Sequence, residues 1–108
     1  MDIRTLRYFL VTAQERNFTK AANKLCMAQP PLSRQIKLLE EELGVTLFIR
    51  NSRQLQLTEE GYFLKQQAEE ILLLIEKTEH QLEKWEPMTM APFRLEQPKA
   101  AVAAFYRI

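Results

Sequence analysis

Gln29, Ser33, Arg34 and Lys37 follow one another at helical spacing just behind the pair Pro30-Pro31. Together they offer one kind of chemistry, hydrogen bonding to base edges and phosphates. A carboxamide places a donor beside an acceptor and matches adenine, a guanidinium presents two parallel donors and matches guanine, and a hydroxyl adapts to either. Arg50 and Arg53 flank the turn-like pair Asn51-Ser52. An arginine at such a tip can enter a narrow minor groove or meet a phosphate. Arg50 has a second reading that the sequence leaves equally open, a structural pair with Glu40 or Glu41. The run Glu40-Glu41-Glu42 itself reads as a solvated face turned away from phosphate.

Other chemistry is poorly supplied. His80 is the only histidine and Cys26 the only cysteine. No intrachain disulfide is therefore possible, and no Cys/His cluster can build a zinc site. Ser33 lacks the strained Gly-x-Ser-x-Gly surround of a nucleophile. No catalytic residue, metal or cofactor is expected, and the chain does not read as an enzyme. Cys26 reads as a small semi-buried hydrophobe.

The elements that must position the polar groups follow from apolar spacing. Leu6, Phe9, Leu10 and Ala13 share one face of a first helix over residues 2–16. Asn17-Phe18-Thr19 interrupts it, and Thr19 is the expected N-cap of a short second helix from Lys20 to about Cys26. There Ala21 and Ala22 are small enough for another helix to come close. A third helix begins at Pro30-Pro31, where the missing N–H groups would have no intrahelical partner anyway. Leu32, Ile36, Leu39 and Leu43 form its apolar stripe, and Gly44 ends it. Leu47–Arg50 and Arg53–Leu57 read as two strands of a hairpin.

Thr58 then caps a long helix, with Glu59 and Glu60 at its positive end. Along it Leu64, Ala68, Ile71, Ile75, Thr78, Leu82 and Trp85 recur at alternating spacings of four and three, a heptad seam. Thr58 to Trp85 would make a rod of roughly 40 Å at 1.5 Å per residue. So long a seam exceeds what a domain of this size can cover, and a second copy is the expected partner. Pro87 stops the rod, and residues 87–108 read as an irregular tail.

The charge agrees with this division. Residues 1–58 hold nine basic and five acidic side chains, a net of +4, while residues 59–108 hold six basic and nine acidic, a net of −3. Any polyanion is met by the front half. No run approaches the ~20 apolar residues of a membrane span, and the N-terminus has no signal-peptide character. A cytoplasmic protein is the default expectation.

The stretch FTKAANKLCMAQPPLSRQIKLLEEELGVTLFIRNSRQLQLTEEG, residues 18–61, resembles the N-terminal domain of LysR-type transcriptional regulators. It carries that family's aromatic, Ser or Thr and paired alanines, then Gln-Pro-x-Leu-Ser-x-Gln-Ile. Leu-Glu-x-x-Leu-Gly-x-x-Leu-Phe-x-Arg follows, with an Arg three positions later, and then Leu-Thr-x-x-Gly. The resemblance covers residues 1 to about 86. It implies a mainly α winged helix-turn-helix, three helices and a β-hairpin wing, followed by a long linker helix that pairs two subunits.

Carried over by position, the resemblance places Gln29, Pro30, Pro31, Ser33 and Arg34 in the major groove of double-stranded DNA and Lys37 near phosphate. Arg53 becomes the wing residue at the minor groove, and Thr19 and Lys20 meet the backbone. A common family serine is Ala28 here, which removes one phosphate contact. The family's two-lobed effector-binding domain has no counterpart after Trp85. The chain therefore reads as a truncated form, an excised fragment or a product of a diverged reading frame, with no small-molecule effector site.

Three segments are expected: a DNA-binding domain over 1–58, a dimerisation helix over 59–86 and a tail over 87–108. The function expected is sequence-specific DNA binding by a homodimer that regulates transcription, in a bacterial cytoplasm at the nucleoid. The alternative is an interaction subunit that pairs with a full-length regulator and spoils its assembly.

Overall fold

A computed structural model describes residues 1–50 and 54–86. The element order is α1 (Ile3–Glu15), α2 (Phe18–Lys24), α3 (Gln29–Leu43), β1 (Phe48–Ile49), β2 (Gln56–Leu57) and α4 (Glu59–Glu83). This is the mainly helical winged architecture expected from the sequence. The strands are antiparallel, Phe48 opposite Leu57 and Ile49 opposite Gln56. The chain divides into two units, Met1–Thr78 and Glu79–Ile108. The first reaches well past the expected border at residue 58, because α4 gives part of its length to the core.

Three of the four helix starts, those of α1, α2 and α4, are explained by a side chain that accepts free N–H groups. Asp2 caps α1, accepting from the Thr5 backbone N–H at 2.7 Å and from the Thr5 hydroxyl at 2.7 Å. Those bonds, the backbone one foremost, hold the Asp2 carboxyl below the ordinary carboxylate range. The cap of α2 is Asn17, not Thr19: Asn17 Oδ1 accepts from the Lys20 N–H at 2.9 Å. Asn is at least as good a cap as Thr, and α2 therefore starts and ends earlier than expected. Thr58 Oγ1 accepts from the Gly61 N–H at 3.0 Å and donates to the Thr46 carbonyl at 2.6 Å, which ties the start of α4 to the start of the wing.

The ends of α1 and α3 use the left-handed region. Gly44, at φ 70°, closes α3 and suits that conformation without side-chain strain. Arg16 closes α1 at φ 55°, a conformation that costs a residue with a Cβ about 1 kcal/mol. Two bonds to the wing hold it there: the Leu55 N–H donates to the Arg16 carbonyl at 3.1 Å, and Arg16 Nε donates to the Leu55 carbonyl at 3.4 Å. Cys26 also sits at φ 55° and is exposed. The expectation of a semi-buried side chain is corrected: the turn joining α2 to α3 rotates the thiol outward.

The core gathers Leu6, Phe9 and Ala13 of α1, Ala21 and Ala22 of α2, Leu32, Ile36 and Leu39 of α3, and Leu47, Phe48 and Leu55 around the wing. Phe48 stacks near Phe9 and Phe18, with ring centroids 5.4 and 6.2 Å apart. Leu64 and Ala68 of α4, 9% and 0% exposed, complete it. Both were expected on the pairing seam. They are instead covered within their own chain, so the part of the seam open to a partner begins at Ile71. Gly61 makes that packing possible, since a Cβ there would lie 2.3 Å from the Leu47 carbonyl oxygen.

Candidate nucleic-acid interface

The start of α3 reaches its polar surface by an unusual route. Ala28 is the N-cap and makes no side-chain cap bond. Pro30 and Pro31 have no N–H to satisfy, so a helix that lacks a capping acceptor leaves few orphan donors. The Leu32 N–H reaches the Ala28 carbonyl at 3.5 Å and closes the first turn. Neither proline nor alanine crowds this end, which leaves its side chains free to meet a large partner.

Those side chains lie on the face opposite the core stripe. Leu32, Ile36 and Leu39 are buried, whereas Pro30, Pro31, Arg34 and Lys37 are exposed. Gln29 Nε2 donates to Ser33 Oγ at 2.6 Å. The pair is half-buried and fixed in orientation one helical turn apart, with the Gln29 carbonyl and the Ser33 proton still to offer. Arg34 and Lys37 have no carboxylate within ion-pair distance among the described residues. Thr19 and Lys20 lie exposed in the first turn of α2, and Lys20 is likewise without an acidic partner among those residues. By contrast Lys24 pairs with Glu15 at 2.9 Å.

Arg50 is placed by its neighbours. One Nη donates to Glu40 Oε1 at 2.8 Å, and the guanidinium carbon lies 5.7 Å from the centre of the Phe18 ring. Of the two readings open for Arg50, the geometry supplies the structural pair, and it joins the base of the wing to the start of α2. Its side chain remains 39% exposed. Arg53 lies outside the described residues, as do Asn51 and Ser52.

Glu40 departs most from its expected role. Far from being a solvated member of an acidic run, it is buried. Its Oε2 accepts from the Leu47 N–H at 2.7 Å and the Phe48 N–H at 3.2 Å, while Oε1 holds Arg50. One carboxylate thus fixes the entry of β1 against the back of α3. Glu42, two residues on, instead pairs with the N-terminal ammonium of Met1. The sequence did carry a signal for Glu40, which stands four residues after Ile36 and eight after Leu32, at the edge of the apolar stripe.

Along α4, beyond the buried Leu64 and Ala68, apolar side chains are open to solvent: Phe63 and Leu74 at 64% and Ile71 at 36%. Ile75 is half-buried and Thr78 exposed. Leu82 and Trp85, in the second unit, are also exposed. An apolar groove of about 680 Å³ runs beside Phe63 and Ile71, walled by Leu43, Val45, Leu47 and Leu64. No helix among the described residues is long and apolar enough to cross a membrane.

Residues 3–62 match the model of the bacterial regulatory helix-turn-helix proteins of the lysR family. A probable cat1 operon transcriptional activator of Acinetobacter lwoffii is 58% identical over 77 residues, which is 71% of this chain and 25% of the relative. The regulator BsdA of Bacillus subtilis is 62% identical over 73 residues, 67% of this chain and 25% of its own length. The chain thus spans about a quarter of the length of these curated relatives. Among solved structures, BenM DBD in complex with catB site 1 DNA superposes with a TM-score of 0.76 at 49% identity, covering 78% of this chain and 93% of that one. The CbnR DBD–DNA complex gives 0.74 at 36% identity, covering 78% and 97%. Full-length BenM gives 0.74 at 49% identity, covering 77% of this chain and 27% of that one. The tight α2–α3 pair, the short wing and the long fourth helix are therefore those of a known lineage, and the chain belongs to the lysR family of bacterial regulatory helix-turn-helix proteins.

Proposed function

We propose that this chain binds double-stranded DNA sequence-specifically, as a homodimer, and thereby regulates transcription. The observation that carries the reading is the start of α3: a fixed Gln29–Ser33 pair beside Arg34 and Lys37, which have no acidic partner among the described residues. Exposed donors on a helix the width of the major groove are suited to reading base edges. Gln29, Ser33 and Arg34 supply the selection, with Pro30 and Pro31 shaping the approach. Lys37, Thr19 and Lys20 lie along the phosphates, and Arg53 reaches the minor groove from the wing. Arg50 braces the wing through Glu40 and adds positive charge at its base. Similarity to two relatives that were crystallised with DNA supports the DNA-binding reading.

The second copy is argued from α4. Phe63, Ile71 and Leu74 are exposed on one helix face, and the apolar groove continues that face. Such a surface on a 108-residue chain is characteristic of an interface. The pairing surface runs through Ile71, Ile75 and Thr78, with Leu82 and Trp85 further along. Two recognition helices held by it would meet half-sites one turn of DNA apart or a multiple of it.

Fluorescence anisotropy against randomised duplexes, with sequencing of the bound fraction, tests the reading. An enriched two-fold site is expected. Arg34→Ala should relax the preference by about 1–3 kcal/mol at one position. Arg53→Ala should weaken binding mainly at narrow minor grooves. Wild-type preference in both variants would refute the contact assignment. Sedimentation equilibrium of Leu74→Asp should show monomer where the parent is dimer, and an unchanged dimer would remove α4 from the interface.

A further inference from the structure

A second polar surface lies away from the recognition helix. A cleft of about 500 Å³ opens between the end of α1, strand β2 and the first turns of α4, lined by Arg16, Gln56, Tyr62 and Lys65 over a floor that includes Phe48 and Leu57. Its wall holds two cations, a phenol and a carboxamide, and no carboxylate. Neither Arg16 nor Lys65 has an acidic partner among the described residues. Lys65 is half-buried, which makes an uncompensated ammonium there less well hydrated than one on an open surface.

Arg16 is also, with Cys26, one of two non-glycine residues among the described ones held at φ 55°. Its Nε is committed to the Leu55 carbonyl at 3.4 Å, which fixes the guanidinium plane and leaves both terminal amino groups to offer. None of the interactions that stabilise the core needs this charge. A guanidinium clamped by a strained backbone beside a half-buried ammonium is a preorganised oxyanion receptor: fixed parallel donors suit two oxygens of a phosphate or carboxylate, and the lysine adds a point charge.

We infer that the cleft lined by Arg16, Gln56, Tyr62 and Lys65 binds an oxyanion, either a backbone phosphate of the DNA outside the recognition-helix footprint or a free small anion. The position favours the first source. Arg16 immediately precedes Asn17, the cap of α2, and its partner Leu55 leads into β2, so the cleft adjoins the start of the helix assigned to the DNA backbone and includes a strand of the wing. For that source the inference rests on the DNA-binding reading; for the second it does not.

The experiment uses the full chain and its Lys65→Gln, Arg16→Gln and double variants. The first readout is the slope of log affinity against log salt for the selected duplex, which falls by about 0.9 for each phosphate that the protein ceases to neutralise. The second is a titration of the DNA-free protein with inorganic phosphate, followed by amide resonances of residues 16, 55–57 and 65. A slope shallower by about 1.8 in the double variant, one phosphate lost from each protomer of the homodimer, and by part of that in Lys65→Gln, assigns the cleft to DNA phosphate. Saturable shifts in the parent that vanish in Lys65→Gln, with an unchanged slope, assign it to a free anion. Unchanged slopes together with no saturable shifts overturn the inference. Lys65→Gln leaves the strained turn untouched, so misfolding of Arg16→Gln cannot decide the result. Failure of the parent to bind any duplex would refute the DNA-binding reading and leave the phosphate titration as the test of the cleft.

Discussion

Removing the Glu40 carboxylate should be among the costliest single changes in this fold, and the cost should depend on what replaces it. Oε2 accepts from two backbone N–H groups, at 2.7 Å from Leu47 and 3.2 Å from Phe48, and Oε1 pairs with Arg50 at 2.8 Å. Leu47 and Phe48 are themselves buried, so water cannot replace the missing acceptor without opening the core. In Glu40→Ala each stranded N–H costs about 1–3 kcal/mol. The Arg50 contribution is smaller, because its side chain is 39% exposed and rehydrates, which limits it to about 1 kcal/mol or less. The sum is a loss of about 2–7 kcal/mol, which brackets the ~3–5 kcal/mol seen when one partner of a buried charged pair is removed. Glu40→Gln behaves differently. Its amide oxygen can still accept both backbone groups, but its NH2 then faces the Arg50 donors, for a loss of about 1–2 kcal/mol. Arg50→Gln should cost less than either. Urea unfolding of the full chain reads all three, at one fixed protein concentration because the midpoint of the proposed dimer would move with concentration. Equal losses for Ala and Gln at position 40 would refute this account of the carboxylate, as would an Arg50→Gln loss matching that of Glu40→Ala.

Two further changes probe the elements around this network. Gly61→Ala would place a Cβ 2.3 Å from the Leu47 carbonyl oxygen and 2.9 Å from Leu57 Cδ2. Backbone must move to admit it, so a loss of about 1–3 kcal/mol is expected even though alanine is the better helix former; a higher melting temperature would show that α4 approaches the wing less closely than this. Asp2 accepts from the Thr5 N–H and hydroxyl, which lowers its folded carboxyl pKa. Its capping contribution is therefore complete above the carboxyl's unfolded pKa and fades as pH falls through the lowered folded value. Asp2→Asn keeps a capping oxygen but no titration, so its stability should lose that acid-side component; identical acid limbs in parent and variant would deny the cap its charge.

The three front helices were legible because their apolar residues repeat at helical spacing and each repeat has one solution, a shared core. Ala21 and Ala22 read correctly as core-facing residues of α2, and both are buried. Caps were less legible: Asn17 and Thr19 are both competent, and which one acts depends on where α1 releases the chain, a matter decided by the Arg16–Leu55 bonds some forty residues apart in sequence. Glu40, Glu41 and Glu42 are chemically identical in the sequence. Helical register sets the first at the edge of the apolar stripe, but it is the packing of the wing on α3 that makes it an internal acceptor, while the third lies by the N-terminus.

The long helix shows how one apolar row can be read with a single partner although part of it belongs to the chain's own core. Leu64, Ala68, Ile71 and Ile75 form a single apolar row, yet Leu64 and Ala68 are spent on the chain's own core and Ile71 is open. A row at 3.5-residue spacing drifts about 20° per heptad around an ideal helix, and the exposed Phe63 and Leu74 widen the apolar arc on the side away from the core. The first turns of α4 therefore fasten the helix to its domain, with Gly61 permitting the close approach. In the proposed dimer the same helix offers a different edge of the arc to a second copy. That division fixes a prediction of rank: substitutions at Ala68 should act on stability at any protein concentration, whereas those at Leu74 should act chiefly through dimer dissociation. A helix serving one seam throughout would show the same concentration dependence at both positions.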